Sequence, residues 1–359
     1  MTTHKHVLIT GATGFVGMNL VKKMIEQEGV HLHLLVRNSE TEPAKKRVFN
    51  WIKNCYSAEE YPEIVKRIDV IEGDITEENL GLTDRLWNEL SCKIDEIFHS
   101  AAAIHFHLPY ELAYEINTKG TQRVLDFAMA CHENNQVLLN YISTAYVAGV
   151  TSDIFLETDL AQGQEFGNTY EQTKYEAELL VHSYVEKGLP TIIYRPSIIS
   201  GDFSTGEITK SNLIFDFIVN LNKGIFKDFI CDEDSSINII PVDYFVDALM
   251  HISKSEENIG KTFNIVSRKN VKIRDLLKAC CHELGVDTPE FVPLEEKKNA
   301  SKLTRLALLK FIHYLELSHM FDDALAAEAL SGTGITCPEL DYSFTCRILS
   351  YCKENGLIE

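Results

Sequence analysis

Two side chains on one helical face carry the first chemical signal in this sequence. Tyr170-Glu171-Gln172-Thr173-Lys174 sets a phenol and an ammonium four residues apart, where a helix stacks them one above the other. A phenol ionises near pH 10, and a cation one turn away favours its phenolate, so the pair can exchange a proton closer to neutrality. Upstream, Ser143-Thr144 closes a run of strand-forming residues. The Thr144 hydroxyl can there donate a hydrogen bond to a carbonyl, with Ser143 as a structural or auxiliary neighbour. Thr144, Tyr170 and Lys174 are therefore the candidate catalytic groups. A Tyr-x-x-x-Lys pair also arises on solvated helices, so its meaning depends on what positions it.

The positioning begins at the N-terminus. Thr10-Gly11-Ala12-Thr13-Gly14-Phe15-Val16-Gly17 follows a first strand directly and opens a helix. Gly11, Thr13, Gly14, Phe15 and Val16 would bring backbone close to a pyrophosphate at the positive helix end, and Gly17 would let that helix lie against the sheet. Arg37 directly follows the second strand, where NAD-selective proteins carry an acidic residue for the ribose 2′-hydroxyl; a guanidinium there can grip a 2′-phosphate, which predicts NADPH. Asp74 and Ile75 follow the third strand, Ala101 and Ala102 the fourth, and Asn117 lies on the next helix. Each could be ordinary turn or packing chemistry alone; in this order, at strand ends, they read as cofactor contacts.

Stepping strands and helices alternate from His6 to Asn140, the pattern of a parallel sheet with crossover helices. The expected strands are His6–Thr10, His31–Val36, Ile68–Glu72, Glu96–Ser100, Leu138–Ser143 and Thr191–Arg195, with a helix around Glu171–Glu186. Beyond Arg195 the expected elements are strands at Ile237–Val242 and Thr262–Val266 and helices at Tyr244–Ser253, Ile273–Leu284, Ala300–Leu317 and Asp322–Leu330. The predicted fold is α/β: a Rossmann-type doubly wound parallel sheet with a smaller irregular C-terminal substrate lobe. Residues 1–200 would form the NADP-binding domain with the catalytic residues, and 201–359 a mixed α/β lobe interleaved with the sheet.

A net charge of −19 over 359 residues argues against nonspecific nucleic-acid or anionic-membrane binding, so any phosphate site must be built locally. No apolar run reaches membrane-spanning length and no signal-peptide layout opens the chain, which predicts a cytoplasmic protein. The nine cysteines, among them Cys55, Cys92, Cys131 and Cys231, lack zinc-site spacing or disulfide density, and only Cys280-Cys281 are adjacent; no metal is expected. Against the acidic background Lys297, Lys298, Lys302, Arg305 and Lys310 cluster on a segment whose apolar face would use Leu308, Phe311, Ile312 and Leu315. That segment reads either as a solvated helix face balanced by Glu295 and Glu296 or as a guide for an anionic substrate.

Together, Thr10–Gly17, Ser143–Val147, Tyr170–Lys174 and Arg195-Pro196-Ser197 resemble the extended short-chain dehydrogenase/reductase superfamily over nearly the whole chain. Ile97–Ala102, Ser143–Val147 and Ile240–Tyr244 are most similar to fatty acyl-CoA reductases and to the thioester reductase domains that end peptide and polyketide synthetases. The resemblance implies cofactor contacts from Tyr170, Lys174, Pro196, Ser197 and Ile198. It also implies NADPH-dependent reduction of an acyl thioester on CoA or on a phosphopantetheinyl carrier protein, giving an aldehyde or an alcohol. Thr144 and Tyr170 would hydrogen-bond the developing oxyanion, and the hemithioacetal would then expel its thiol. A ketone reductase or nucleotide-sugar epimerase shares the Tyr-Lys pair and stays open. A sugar dehydratase is disfavoured because Ala145-Tyr146 follow Thr144 in place of an Asp-Glu pair. A non-catalytic NADP-binding regulator would be expected to show decay at Tyr170, Lys174 or the glycines, which are intact.

Overall fold

A computed structural model describes residues 4–39, 42–106, 108–151, 153–208, 213–309, 312–317 and 319–358. The chain divides into two compact units: Met1–Ser143, Asn168–Tyr194 and Ser253–Thr262 in the first, and Thr144–Gly167, Arg195–Ile252 and Phe263–Glu359 in the second.

The central sheet has seven strands: β1 (Lys5–Thr10), β2 (Val30–Val36), β3 (Ile68–Glu72), β4 (Glu96–His99), β5 (Leu138–Ile142), β6 (Thr191–Pro196) and β7 (Thr262–Ile265). Their order is β7-β6-β5-β4-β1-β2-β3, and the pairings among the first six are parallel. This is the doubly wound Rossmann-type arrangement. Strand order reverses beside β1, so the loops after β1 and β4 diverge there, which is where such sheets bind ligands.

In the first unit, α1 (Phe15–Ile25), α2 (Asp84–Ser91), α3 (Gly120–Asn135) and α4 (Thr169–Glu186) supply the crossover layers. Leu8, Leu35 and Ile97 from the sheet pack with Leu90 of α2, Val124 and Phe127 of α3 and Ala177 and Val181 of α4 in one buried cluster. Asn168 starts α4 by accepting the Glu171 N–H at 2.9 Å, which fixes the rotation at which Tyr170 and Lys174 leave the helix.

The second unit departs from the periodicity of the sequence in two places. The expected strand over 237–242 breaks at Asn238, whose Nδ2 donates to Ser267 O and Asn270 Oδ1, both at 2.7 Å. Ser236–Ile237 therefore pairs with Val271–Lys272, and Ile239–Pro241 separately with Ile198–Ser200. The single helix expected over 300–317 is two short ones, Lys302–Ala307 and Ile312–Glu316. The first is tied to the strand Asp228–Ile230: Ser301 N–H donates to Asp228 Oδ2 at 2.7 Å and Thr304 Oγ1 to Asp228 O at 3.0 Å. These bonds fix where the first helix begins. Lys310 and Phe311 lie outside the described residues.

Candidate active site

The glycine turn after β1 is shaped by close approach. Gly11 has φ +73°, and a Cβ there would lie 2.6 Å from the Ala101 nitrogen; one on Gly17 would lie 2.1 Å from Gly11 O. Gly14 N–H closes the turn on Gly11 O at 2.8 Å, and Phe15 and Val16 begin α1, whose first turn carries no acidic side chain. Thr13 is half-buried and Gly14 exposed. Backbone bared in this way, at the positive end of an eleven-residue helix, fits a pyrophosphate.

Arg37, at the end of β2, is solvent-facing, with Nη1 3.8 Å from Asp74 Oδ2. Asp74 Oδ1 accepts from both the N–H and the hydroxyl of Thr76 at 2.9 Å, so this carboxylate shapes its own turn and faces Arg37. Ile75 is buried against Gly120, where a Cβ would meet its Cδ1 at 2.8 Å. The sequence reading missed Arg47, whose Nη2 donates to Arg37 O at 2.7 Å and adds a second guanidinium here.

The loop after β4, with Ala101 and Ala102 half-buried, is held from behind. Asn117 Oδ1 accepts the Ala103 N–H at 2.7 Å, while its Nδ2 donates to Ala103 O at 3.1 Å and Thr173 Oγ1 at 3.0 Å. Both ends of the amide thus engage protein, placing Asn117 as the tie between this loop and α4. It sits in a π-helical turn, Glu115–Lys119. His99, buried at the end of β4, bridges Thr10 Oγ1 (2.7 Å) and Thr121 Oγ1 (2.9 Å). Burial, helped by the Lys174 charge, pushes its pKa down to about 3 and keeps it a neutral brace.

Tyr170, half-buried near the start of α4, packs edge-on against Phe106 with ring centroids 5.7 Å apart. Lys174 is buried one turn on, and its Nζ donates to Tyr141 Oη at 2.8 Å and Ile142 O at 2.9 Å, 4.3 Å from the Tyr141 ring centroid. Desolvation, partly offset by Glu178, lowers the ammonium's pKa to about 7. Glu178, a further turn along, is buried and accepts the Ser143 hydroxyl. Ser143 thus bonds the carboxylate whose charge acts on Lys174. The signal in sequence was the stripe Tyr170-Lys174-Glu178 at successive helical turns.

The depressed Lys174 pKa has a sign that can be tested. The unfolded value is 10.5 and the folded one about 7, so between them the unfolded chain binds more protons and stability rises with pH. Relative to Lys174→Met, wild-type stability is expected to improve from pH 7 to 9 by up to about 1.4 kcal/mol per unit. Urea unfolding at pH 6, 7.5 and 9 measures it; a parallel pair of profiles would assign Lys174 an ordinary pKa.

Thr144, Pro196, Ser197 and Ile198 belong to the second unit. Thr144 Oγ1 accepts the Tyr146 N–H at 3.3 Å and donates to Pro196 O at 3.5 Å. Ser197 Oγ is buried without a hydrogen-bond partner among the described residues, an orphan that a bound cofactor would satisfy. Ile198 opens the short strand paired with Ile239–Pro241.

A glycine turn at the switch point of a parallel sheet, with Tyr and Lys on a helix leaving the same sheet, defines an α/β dinucleotide-binding protein of the extended short-chain dehydrogenase/reductase type. The chain belongs to the NAD-binding family described as male sterility protein, whose sequence profile matches residues 9–249. It is 29% identical over 78% of its length to nonribosomal peptide synthetase asaC of Aspergillus flavus, of which it spans 28%. It is also 29% identical over 68% of its length to probable fatty acyl-CoA reductase 4 of Arabidopsis thaliana, of which it spans 62%. Its fold matches the terminal R domain from the myxalamid PKS-NRPS biosynthetic pathway with a TM-score of 0.85 at 24% identity, over 99% of this chain and 92% of that one. Among the described residues, no helix is long and apolar enough to cross a membrane.

Proposed function

We propose that this chain reduces an acyl thioester, carried by CoA or by a phosphopantetheinyl carrier protein, to an aldehyde or alcohol with NADPH. The observation that carries the reading is the joint occurrence of the Tyr170-Lys174 helix and family membership shared with relatives named as a fatty acyl-CoA reductase and a peptide synthetase. The glycine turn would hold the pyrophosphate, Arg37 and Arg47 the 2′-phosphate, and Lys174 the nicotinamide ribose; when bound, the cofactor supplies the hydride. Tyr170 and Thr144 would donate hydrogen bonds to the thioester carbonyl oxygen as it gains charge. Proton transfer from Tyr170 completes the hemithioacetal, whose C–S bond then breaks to release aldehyde and thiol. Lys174 makes the Tyr170 proton easier to lose when charged, and its burial amplifies that effect. The chemistry needs no covalent enzyme intermediate, so no cysteine is required for it.

The test is NADPH consumption against acyl-CoAs, acyl carrier proteins, aldehydes, ketones and nucleotide sugars. Thioester-dependent oxidation with release of one free thiol per first reduction is the expected result. Turnover of ketones or nucleotide sugars alone would assign the ketone reductase or epimerase reading, and no turnover with any class would assign a regulator.

The basic segment bears on the carrier. Lys298, Lys302 and Arg305 are exposed, interleaved with Leu303, Leu306 and Leu309, each more than half exposed, while Leu308 and Leu315 turn inward. Lys297 pairs with Glu316 and is thereby partly neutralised. In this reading Lys298, Lys302 and Arg305 attract CoA phosphates or an acidic carrier surface, an attraction that salt screens. Changing all three to Ser is expected to raise the Michaelis constant for a thioester several-fold at low salt and leave that for a free aldehyde unchanged. Equal effects on both substrates would return the segment to ordinary surface.

A further inference from the structure

The starts of β1, β2 and β3, at the opposite end of the sheet from the glycine turn, gather imidazoles that the reduction does not use. His31 and His33 alternate along β2 and so share one face, while Asp69 is the register partner of His33 on β3 and His6 that of His31 on β1. One ligand atom from each of His31, His33 and Asp69 lies within 4.8 Å of the others. A single carboxylate oxygen, Asp69 Oδ2, is 2.9 Å from His31 Nε2 and 3.5 Å from His33 Nδ1. Donors around tetrahedral zinc, bound at about 2.0–2.2 Å, stand roughly 3.3–3.5 Å apart, so these three need only small side-chain adjustments to share an ion.

Two further observations point to an ion in place of a plain His-Asp pair. His33 is 1% exposed, yet its Nδ1, the nitrogen facing Asp69, has no hydrogen-bond partner among the described residues. Its other nitrogen, Nε2, lies 3.1 Å from His6 Nδ1, which locks the ring as outer-shell bonds lock metal-bound imidazoles. The site also has an approach: Asp69 is half exposed, and His33 and Asp69 line a cavity of about 310 Å³ together with Lys45, Glu89 and Lys93. That cavity leaves space for water at the fourth position.

We propose that His31, His33 and Asp69 bind one divalent transition-metal ion of the zinc class, clamping the edge strand β3 to β2. Imidazole and carboxylate donors suit such an ion, and no thiolate is required. The nearby ammonium of Lys93 acts on His6, His33 and Asp69 alike and opposes an added cation.

The experiment uses tag-free full-length protein stripped with chelator and titrated with Co²⁺ and then Zn²⁺. Visible d–d absorption rising to one equivalent of Co²⁺ and bleached by Zn²⁺ is the expected result. His31→Gln and Asp69→Asn, both at accessible side chains, should each weaken Zn²⁺ binding tenfold or more, and Lys93→Met should tighten it. His282→Gln, in the exposed pair with Glu283, is the control and should change nothing. Unaltered NADPH binding by the variants would show that they fold. Equal affinity in wild type and the His31→Gln/Asp69→Asn double variant, or no Co²⁺ spectrum at millimolar metal, would overturn the site.

Discussion

Replacing Tyr170 with Phe is expected to lower thioester-dependent NADPH consumption by about two orders of magnitude or more, the usual scale for a positioned acid or base. Fold and cofactor affinity should stay close to wild type. The ring makes its edge-on contact with Phe106 through carbon atoms, which Phe reproduces, and the helix start is fixed by Asn168 and not by the phenol. What is lost is the hydroxyl that, in the proposed reaction, would donate to the substrate oxygen. Lys174→Ala should behave differently: it removes a buried group that bonds Tyr141 and the Ile142 carbonyl, so dinucleotide affinity, stability and turnover should fall together. Stopped-flow single turnovers beside a fluorescence titration of NADPH separate the two patterns. Full single-turnover activity in Tyr170→Phe on a thioester would remove Tyr170 from the mechanism.

How far these residues were legible depended on whether local or distant contacts fix them. Gly11, Gly14 and Gly17 were readable because backbone geometry demands them wherever a strand turns into a phosphate-binding helix. Tyr170 and Lys174 were readable because a helix relates them by spacing alone. Asn117 was found, but its work was not: the bonds to Ala103 and Thr173 span three separate elements, and a sequence does not show where an amide points. Arg47 and His99 were missed for the same reason, since their partners lie on other elements; Glu178 stood in the helical stripe with Tyr170 and Lys174, but its bond to Ser143 did not show in sequence. The His31, His33 and Asp69 cluster went unread, because Asp69 becomes the neighbour of the two imidazoles only through the register of β3. In the 300–317 segment the ties of Ser301 and Thr304 to Asp228 fix the start of the first helix, and a partner some seventy residues away is equally invisible in sequence.

Cofactor choice yields the second large effect: wild type should prefer NADPH, and Arg37→Asp should cut that preference about ten- to hundredfold. Loss of one charge-assisted phosphate contact costs roughly 1.5–3 kcal/mol, and each 1.4 kcal/mol is tenfold. The substitution is clean structurally. Arg37 is two-thirds exposed and its Asp74 pair is long, at 3.8 Å, so the fold depends little on it. It also adds repulsion, because a second carboxylate beside Asp74 would oppose a 2′-phosphate while accepting the hydroxyls of an unphosphorylated ribose. Arg47 would limit the reversal. Its Nη2 is anchored on Arg37 O, a backbone atom that survives the substitution, so one guanidinium stays near the phosphate. Arg47→Ala alone should therefore reduce the preference by less than Arg37→Asp, and the double variant should favour NADH. The ratio of kcat/KM values for NADPH and NADH, measured on one acyl-CoA across the four proteins, tests this order. Equal use of both cofactors by the wild type would make Arg37 a solvated loop arginine and leave the choice of nicotinamide cofactor to other residues.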